Sequence, residues 1–157
     1  MKTAYKYTLT NCTQCFINTH NRHSSAQEKE ITYRLLYNIT PIRPTIRQCP
    51  FCKRHTFNEE HLYTQCTYTL PIRNSLLDTL EALTQEDINI HKSIMLNIFP
   101  ATNNSTKQLI VHLLGKYRYM IWTAYCKAQH EHTTRTAQQL DTTWNIIQNN
   151  IIYQHIH

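Results

Sequence analysis

Between Cys49 and Cys66 the chain sets three cysteines and a histidine, Cys49, Cys52, His61 and Cys66, in the spacing C-x2-C-x8-H-x4-C. Four soft or borderline donors this close together suit a closed tetrahedral zinc site. The two-residue gap of Cys49-Pro50-Phe51-Cys52 lets both thiolates meet one ion while backbone N–H groups of the turn point at the sulfurs. Asn58 can cap a short helix over Glu59 to Gln65, which carries His61 and places Leu62 toward the core. His61 and Cys66 are five residues apart, slightly over one helical turn, so that helix must finish near Cys66 for both to reach the same ion. His55, three residues after Cys52, is an alternative fourth ligand. Three thiolates and one imidazole leave no open position, so the implied zinc is structural. The loop has too few apolar residues to fold alone, and metal binding, worth about 10–16 kcal/mol in small zinc modules, would couple its order to folding.

The rest of the chain reads as helices arranged around that loop. At 157 residues it has the length of one ordinary domain. Its single glycine, Gly115, argues against a turn-rich all-β chain, whose hairpins need positive φ. Ser25-x-x-Glu28 is a capping box ahead of Ile31, Leu35, Leu36 and Ile39, which share one helical face, giving a first helix over about 26–39. Pro71 fits the first turn of a helix with Ile72, Leu76, Leu80 and Leu83 on one stripe. Thr84 is expected to open another, with Asp87 three residues on and Ile90, Ile94, Met95 and Ile98 inside. After a break at Pro100, Ser105 is expected to cap a long helix through Leu109, Leu113, Tyr117, Ile121 and Tyr125. From Thr134 a last helix shows Leu140, Trp144, Ile147 and Ile151, a stripe expected to pack against the helix before it. Cys126 reads as a small buried apolar residue, and His130, His132, His155 and His157 as surface.

The formal charge of +6 is unevenly held. Residues 1–73 contain ten Lys/Arg and four Asp/Glu, against six of each in 74–157. Pro41 and Pro44 stop the first helix and hold the next segment extended. Arg43 and Arg47 in that connector, with Lys53 and Arg54 just beyond Cys52, make a basic patch beside the metal loop that can face phosphate. Acids are scarce, and Glu59 and Glu60 are adjacent and so point apart on a helix, which disfavours paired-carboxylate chemistry. One glycine supplies neither a phosphate loop nor a dinucleotide fingerprint. A thiolate committed to zinc is not free to attack. The chain is therefore expected not to be an enzyme.

Residues 1–23 show no helical periodicity but carry Cys12, Cys15, His20 and His23, spaced C-x2-C-x4-H-x2-H. This cluster is a candidate second zinc site, although its last gap is shorter than usual. No secretory signal is readable in Met1 to Leu9, and the longest apolar runs, such as Leu109 to Leu114, are broken by His112. No membrane is expected, and a reducing compartment, nucleus or cytoplasm, would keep the cysteines available to metal.

The run Ile31-Thr-Tyr-Arg-Leu-Leu-Tyr, then Cys49-Pro-Phe-Cys, Glu60-His-Leu-Tyr-Thr-Gln-Cys and Ile72-Arg-Asn-Ser-Leu-Leu resembles the zinc-binding domain found C-terminal to the reverse transcriptase of LINE-type (non-LTR) retrotransposons. Ile121-Trp122 is similar to the isoleucine-tryptophan pair of the helix that often follows in those proteins. The resemblance covers about residues 26–83 and extends faintly to about 130. It implies Cys49, Cys52, His61 and Cys66 as the ligands and leaves His55 out. The connector before Cys49 is shorter than in the family, and no polymerase motif or catalytic aspartate pair precedes the domain. The resemblance thus implies a detached or free-standing accessory module without polymerase activity.

The expected architecture is mainly α, a small helical domain of about five helices stapled by a CCHC zinc loop. Residues 1–24 form an N-terminal arm, 25–100 a helix plus zinc-binding module, and 101–157 a helical extension packed on it. Two functions from different classes fit. In the first, a structural zinc braces a basic patch of Arg43, Arg47, Lys53 and Arg54 that binds template RNA or target DNA, with Tyr and Phe available to stack on unpaired bases. In the second, zinc only stabilises the fold, and the helical tail docks a reverse transcriptase or other protein partner through Trp144 and Ile151.

Overall fold

The computed structural model describes residues 14, 15, 17–37, 48–53, 57–100, 103–130 and 135–156. Their structure is mainly α, with no strand among them. The helices are α1 (Ala26–Leu36), α2 (Leu70–Thr84), α3 (Ile90–Leu96), α4 (Asn104–His130) and α5 (Ala137–Ile156), with a π-helical turn at His61–Gln65 between α1 and α2.

The 27-residue α4, about 40 Å long, is the axis on which the other elements lie. Leu109 to Gly115 are buried in unbroken succession, as expected for a helix surrounded on all sides rather than one with a wet face. Ile110, Leu113, Leu114, Tyr117 and Ile121 are shut off from solvent along it. Each buried aliphatic of this kind contributes about 1.5–3 kcal/mol before the entropy of ordering is subtracted.

Several local expectations are met. Ser25 Oγ accepts from the Glu28 N–H and Glu28 Oε2 accepts from the Ser25 N–H, both at 3.1 Å, which closes the capping box of α1. Pro71 lies in the first turn of α2, and Ile72, Leu76 and Leu80 are buried with Leu83 at their margin. The last helix, expected from Thr134, begins at Ala137, where Thr136 and Gln139 form a reciprocal cap. Trp144 turns its ring edge-on to Tyr117 at 5.7 Å between centroids, so the α5 stripe packs on α4. Trp144 and Ile151 are therefore interior residues, and neither offers itself to a partner.

Other boundaries differ. The first helix ends at Leu36 with Tyr37 as its C-cap, short of the expected 39. Thr84 is the last residue of α2, not the start of the next helix. Gln85 takes the left-handed C-cap conformation, and Asn89, whose side chain accepts from the Lys92 N–H, caps α3 in place of Thr84. α3 stops at Leu96, leaving Ile98 outside it, because Asn97 is also left-handed. Asn103 rather than Ser105 caps α4, accepting from the Thr106 N–H at 2.9 Å. At the N-terminal end, residues 14, 15 and 17–19 are helical despite their lack of periodicity. Asn18 Nδ2 donates to the Asn97 carbonyl at 2.7 Å and Gln14 Nε2 to the Phe99 carbonyl, which dock this turn beneath the end of α3.

Arg118, which the sequence sets among the cations of α4, is only 1% exposed. Its Nε donates to the Ile94 carbonyl at 2.7 Å, and Nη2 donates to the Ser93 carbonyl and Asn97 Oδ1 at 2.9 Å. Nη1 reaches Thr32 Oγ1 at 3.3 Å. The guanidinium therefore closes the C-terminus of α3, where carbonyls lack helical partners and the dipole favours a cation. One side chain joins α1, α3 and α4. Burial holds its pKa down at about 10, still charged at neutral pH.

Candidate metal centre

The turn carrying the first two cysteines is tight, with the Lys53 N–H donating to the Cys49 carbonyl at 2.9 Å. Lys53 closes it at φ 62°, a left-handed conformation that an L side chain adopts at a cost of about 1–2 kcal/mol. On the other side, Asn58 Oδ1 accepts from the His61 N–H at 2.8 Å and starts the turn bearing the histidine. That turn is π-helical: the Cys66 N–H donates to the His61 carbonyl at 2.8 Å, an i to i+5 bond. The five-residue gap between the last two ligands is thus spanned by one wide turn. Cys66 then leaves in an extended conformation, so the helix ends where the ligand spacing requires.

The four side chains converge. Their ligand atoms, Cys Sγ and a His ring nitrogen, all lie within 4.8 Å of one another. Cys49 Sγ and Cys66 Sγ are 3.7 Å apart, far beyond a disulfide bond and close to the ~3.8 Å edge of a tetrahedron with zinc–sulfur bonds of about 2.3 Å. Cys52 Sγ and His61 Nε2 are 3.3 Å apart, against about 3.6 Å for the corresponding sulfur–nitrogen edge. Donor type, donor number and spacing therefore fit a tetrahedral centre of three sulfurs and one nitrogen. Cys49, Cys66 and His61 are buried and Cys52 lies at the rim.

One sulfur, that of Cys49, is set up to carry negative charge. The Cys49 thiol is pulled down to about 5, first by the hydrogen bond from the Cys66 thiol and then, against burial, by the backbone N–H groups of Cys52 and Phe51. The Cys66 thiol is pushed up, because it holds the proton its neighbour lacks and because it is buried. The backbone N–H of Tyr68 works in the opposite direction on Cys66. Such N–H groups take up part of the excess charge when three thiolates and one imidazole surround a divalent ion. With no open position in this set, the centre suits bracing rather than catalysis.

Packing fixes the loop to the core. Phe51 stacks on Tyr68 at 4.6 Å with ring planes 2° apart, and Phe57 stacks on Tyr125 of α4 at 5.5 Å while presenting an edge to His61. Leu62 faces the core as expected. From α2, Arg73 Nη1 donates to the Thr64 carbonyl at 2.9 Å, while the Tyr117 hydroxyl of α4 donates to the Tyr63 carbonyl at 2.8 Å.

Of the other site residues read from the sequence, Lys53 is exposed beside Cys52, whereas Arg43, Arg47, Arg54, His55 and Cys12 lie outside the described residues. Cys15 is buried and His20 exposed. Among the described residues no metal-binding group joins His23 to Cys15 and His20. His23 meets His112 of α4 and His155 of α5 instead, and the ligand atoms of these three also lie within 4.8 Å of one another. His155, expected at the surface, is thus partly buried with two histidine neighbours. Burial, with His155 beside it, holds the His112 imidazole down at about 4, and burial also lowers His155. His23 and His155 are separated by most of the chain, so no local spacing could reveal the group. The one available signal is His112 itself, a titratable residue inside the apolar run from Leu109 to Leu114.

No helix among the described residues is long and apolar enough to cross a membrane. Comparison of the chain with protein-family models, with curated proteins and with solved structures finds no match.

Proposed function

We propose that Cys49, Cys52, His61 and Cys66 hold one structural zinc ion, and that the chain is a nucleic-acid-binding module akin to the zinc-binding domain C-terminal to LINE-type reverse transcriptases. The observation that carries the metal reading is the convergence of three sulfurs and one nitrogen within 4.8 Å, with Cys49 and Cys66 3.7 Å apart and Cys52 and His61 3.3 Å apart. In this reading zinc fixes the turn that presents Lys53 and the basic connector ending at Cys49. Arg43, Arg47, Lys53 and Arg54 contact phosphates of template RNA or target DNA, supported by the excess positive charge of residues 1–73. The chain acts as an accessory to a polymerase, and performs no chemistry itself.

Metal analysis of the purified protein, wild type beside Cys49→Ser and His61→Ala, tests the first half. Zinc is expected in the wild type at the Cys/His loop and lost from that loop in both variants. Titration with single-stranded RNA and duplex DNA over a range of salt tests the second half. Log affinity should fall steeply with log salt, and each charge removed at the four positions should reduce the slope by about one unit. If reversing all four charges leaves RNA and DNA affinity unchanged, the nucleic-acid reading fails, and the zinc loop remains as a brace in a protein-interaction module.

A further inference from the structure

We propose that His23, His112 and His155 form a second metal site, a three-imidazole set that takes a borderline divalent ion of the zinc, cobalt or nickel class and leaves at least one coordination position open. His112 Nδ1 and His155 Nε2 are 3.1 Å apart, within the span of about 3.0–3.4 Å expected between two imidazole nitrogens sharing such an ion. The third nitrogen lies within 4.8 Å, a separation that small ring rotations close. The rings of His23 and His112 are stacked at 5.7 Å between centroids, and His23 meets His155 at 4.7 Å.

Each ligand is held by a different element. Asn21 Oδ1 accepts from the backbone N–H groups of both His23 and Ser24 at 2.9 Å, which folds the turn presenting His23. His112 is fixed on the central helix, and His155 stands in the last turn of α5. The turn bearing His23 can come this close because the chain's only glycine lies opposite it. A Cβ at Gly115 would sit 3.2 Å from Ser24 Oγ and 3.5 Å from Glu28 Oε2. Glu28, 1% exposed, puts a carboxylate on the adjoining turn, where it pairs with Lys116 at 2.6 Å. Three histidines from three elements thus share one point with a single hydrogen bond among their described contacts, an arrangement packing alone does not call for. His112 also lines a groove of about 470 Å³ between α4 and α5, through which a hydrated ion can arrive. The donor set, all imidazole, is distinct in kind from the thiolate-rich loop at Cys49 to Cys66.

Cobalt(II) titration of the full chain under reducing conditions separates the two sites, because only the cysteine loop gives thiolate-to-cobalt charge-transfer absorption. Wild type is expected to bind a second ion that adds no charge-transfer intensity. His155→Ala and His23→Ala should each weaken that ion at least about 100-fold while leaving the thiolate band intact. His130→Ala, an exposed histidine outside the set, should leave both ions bound. An ion without thiolate absorption that disappears in His155→Ala supports the site, whatever the cysteines bind. Saturation of the wild type by the thiolate-bound ion alone overturns it, as does retention of the second ion at wild-type affinity in both His155→Ala and His23→Ala.

Discussion

The hydroxyl of Tyr117 donates to the main-chain carbonyl of Tyr63 across 2.8 Å, joining the middle of the central helix to the turn that lies between His61 and Cys66. Both tyrosines are closed to solvent, yet their hydroxyls differ. That of Tyr117 is paired, whereas the Tyr63 hydroxyl has no hydrogen-bond partner among the described residues. Tyr117→Phe is expected to cost about 1–2 kcal/mol, since it strips a buried carbonyl of its donor. Tyr63→Phe should be neutral or stabilise by up to about 1 kcal/mol, since it removes a desolvated group that gains nothing in return. Urea unfolding of the two variants, both with zinc added, checks the pair. Equal losses at both positions would mean that the Tyr63 hydroxyl is hydrogen-bonded as the Tyr117 hydroxyl is.

Lys53 separates the backbone of the metal turn from its charge. At φ 62° it occupies a conformation that glycine adopts freely, so Lys53→Gly should stabilise the fold by about 0.5–1 kcal/mol after the greater freedom of glycine in the unfolded chain is counted. The same substitution should weaken RNA binding and lower its salt slope by about one unit if the lysine meets phosphate. Thermal melts and binding isotherms on one preparation read both effects. A more stable protein with unaltered RNA affinity would remove Lys53 from the interface while leaving its role in the turn.

Removal of the ion proposed at Cys49, Cys52, His61 and Cys66 should loosen that loop before the helices. Among its described residues the segment from Cys49 to Cys66 gives the core one aliphatic side chain, Leu62, beside the ring of Tyr63, whereas α4 and α5 share an apolar seam. Chelation at neutral pH is expected to abolish amide protection around Cys49 to Cys66 and the start of α2 while much of α4 and α5 stays protected. Hydrogen exchange with and without chelator measures this. Protection of the loop that survives complete demetallation would show that its aromatic stacking, Phe51 on Tyr68 and Phe57 on Tyr125, suffices to hold it.

What the sequence makes legible is what depends on short separations. The capping box of Ser25 and Glu28, the stripe of Ile72, Leu76 and Leu80, and the CCHC spacing each lie within a few helical turns, where residue type and period act directly on geometry. Between Thr84 and Asn89 two residues could each cap a helix. The sequence does not decide between them, because the choice rests on the left-handed Gln85 that ends α2. Arg118 and His155 were beyond reach for another reason. Nothing in the local spacing gives either residue a partner, because Thr32, Ser93 and Asn97 for one and His112 for the other arrive only when distant elements pack.

Arg118 supplies the sharpest test of that packing. Its side chain serves two carbonyls of α3, the side chain of Asn97 and the hydroxyl of Thr32, so no single neutral replacement can meet all four acceptors. Arg118→Met keeps the length and apolar stem but takes the side-chain donor from the buried Ile94 carbonyl and leaves the Ser93 carbonyl with the Asn97 N–H alone. A loss of about 3–5 kcal/mol is expected, since several buried groups lose their partner at once. Arg118→Lys should recover only part of it, because an ammonium cannot span acceptors arranged around a planar fork. Chemical denaturation of the three proteins, each with metal bound, gives the order wild type, lysine, methionine. If the methionine variant matches wild type, the guanidinium is not what holds α1, α3 and α4 together.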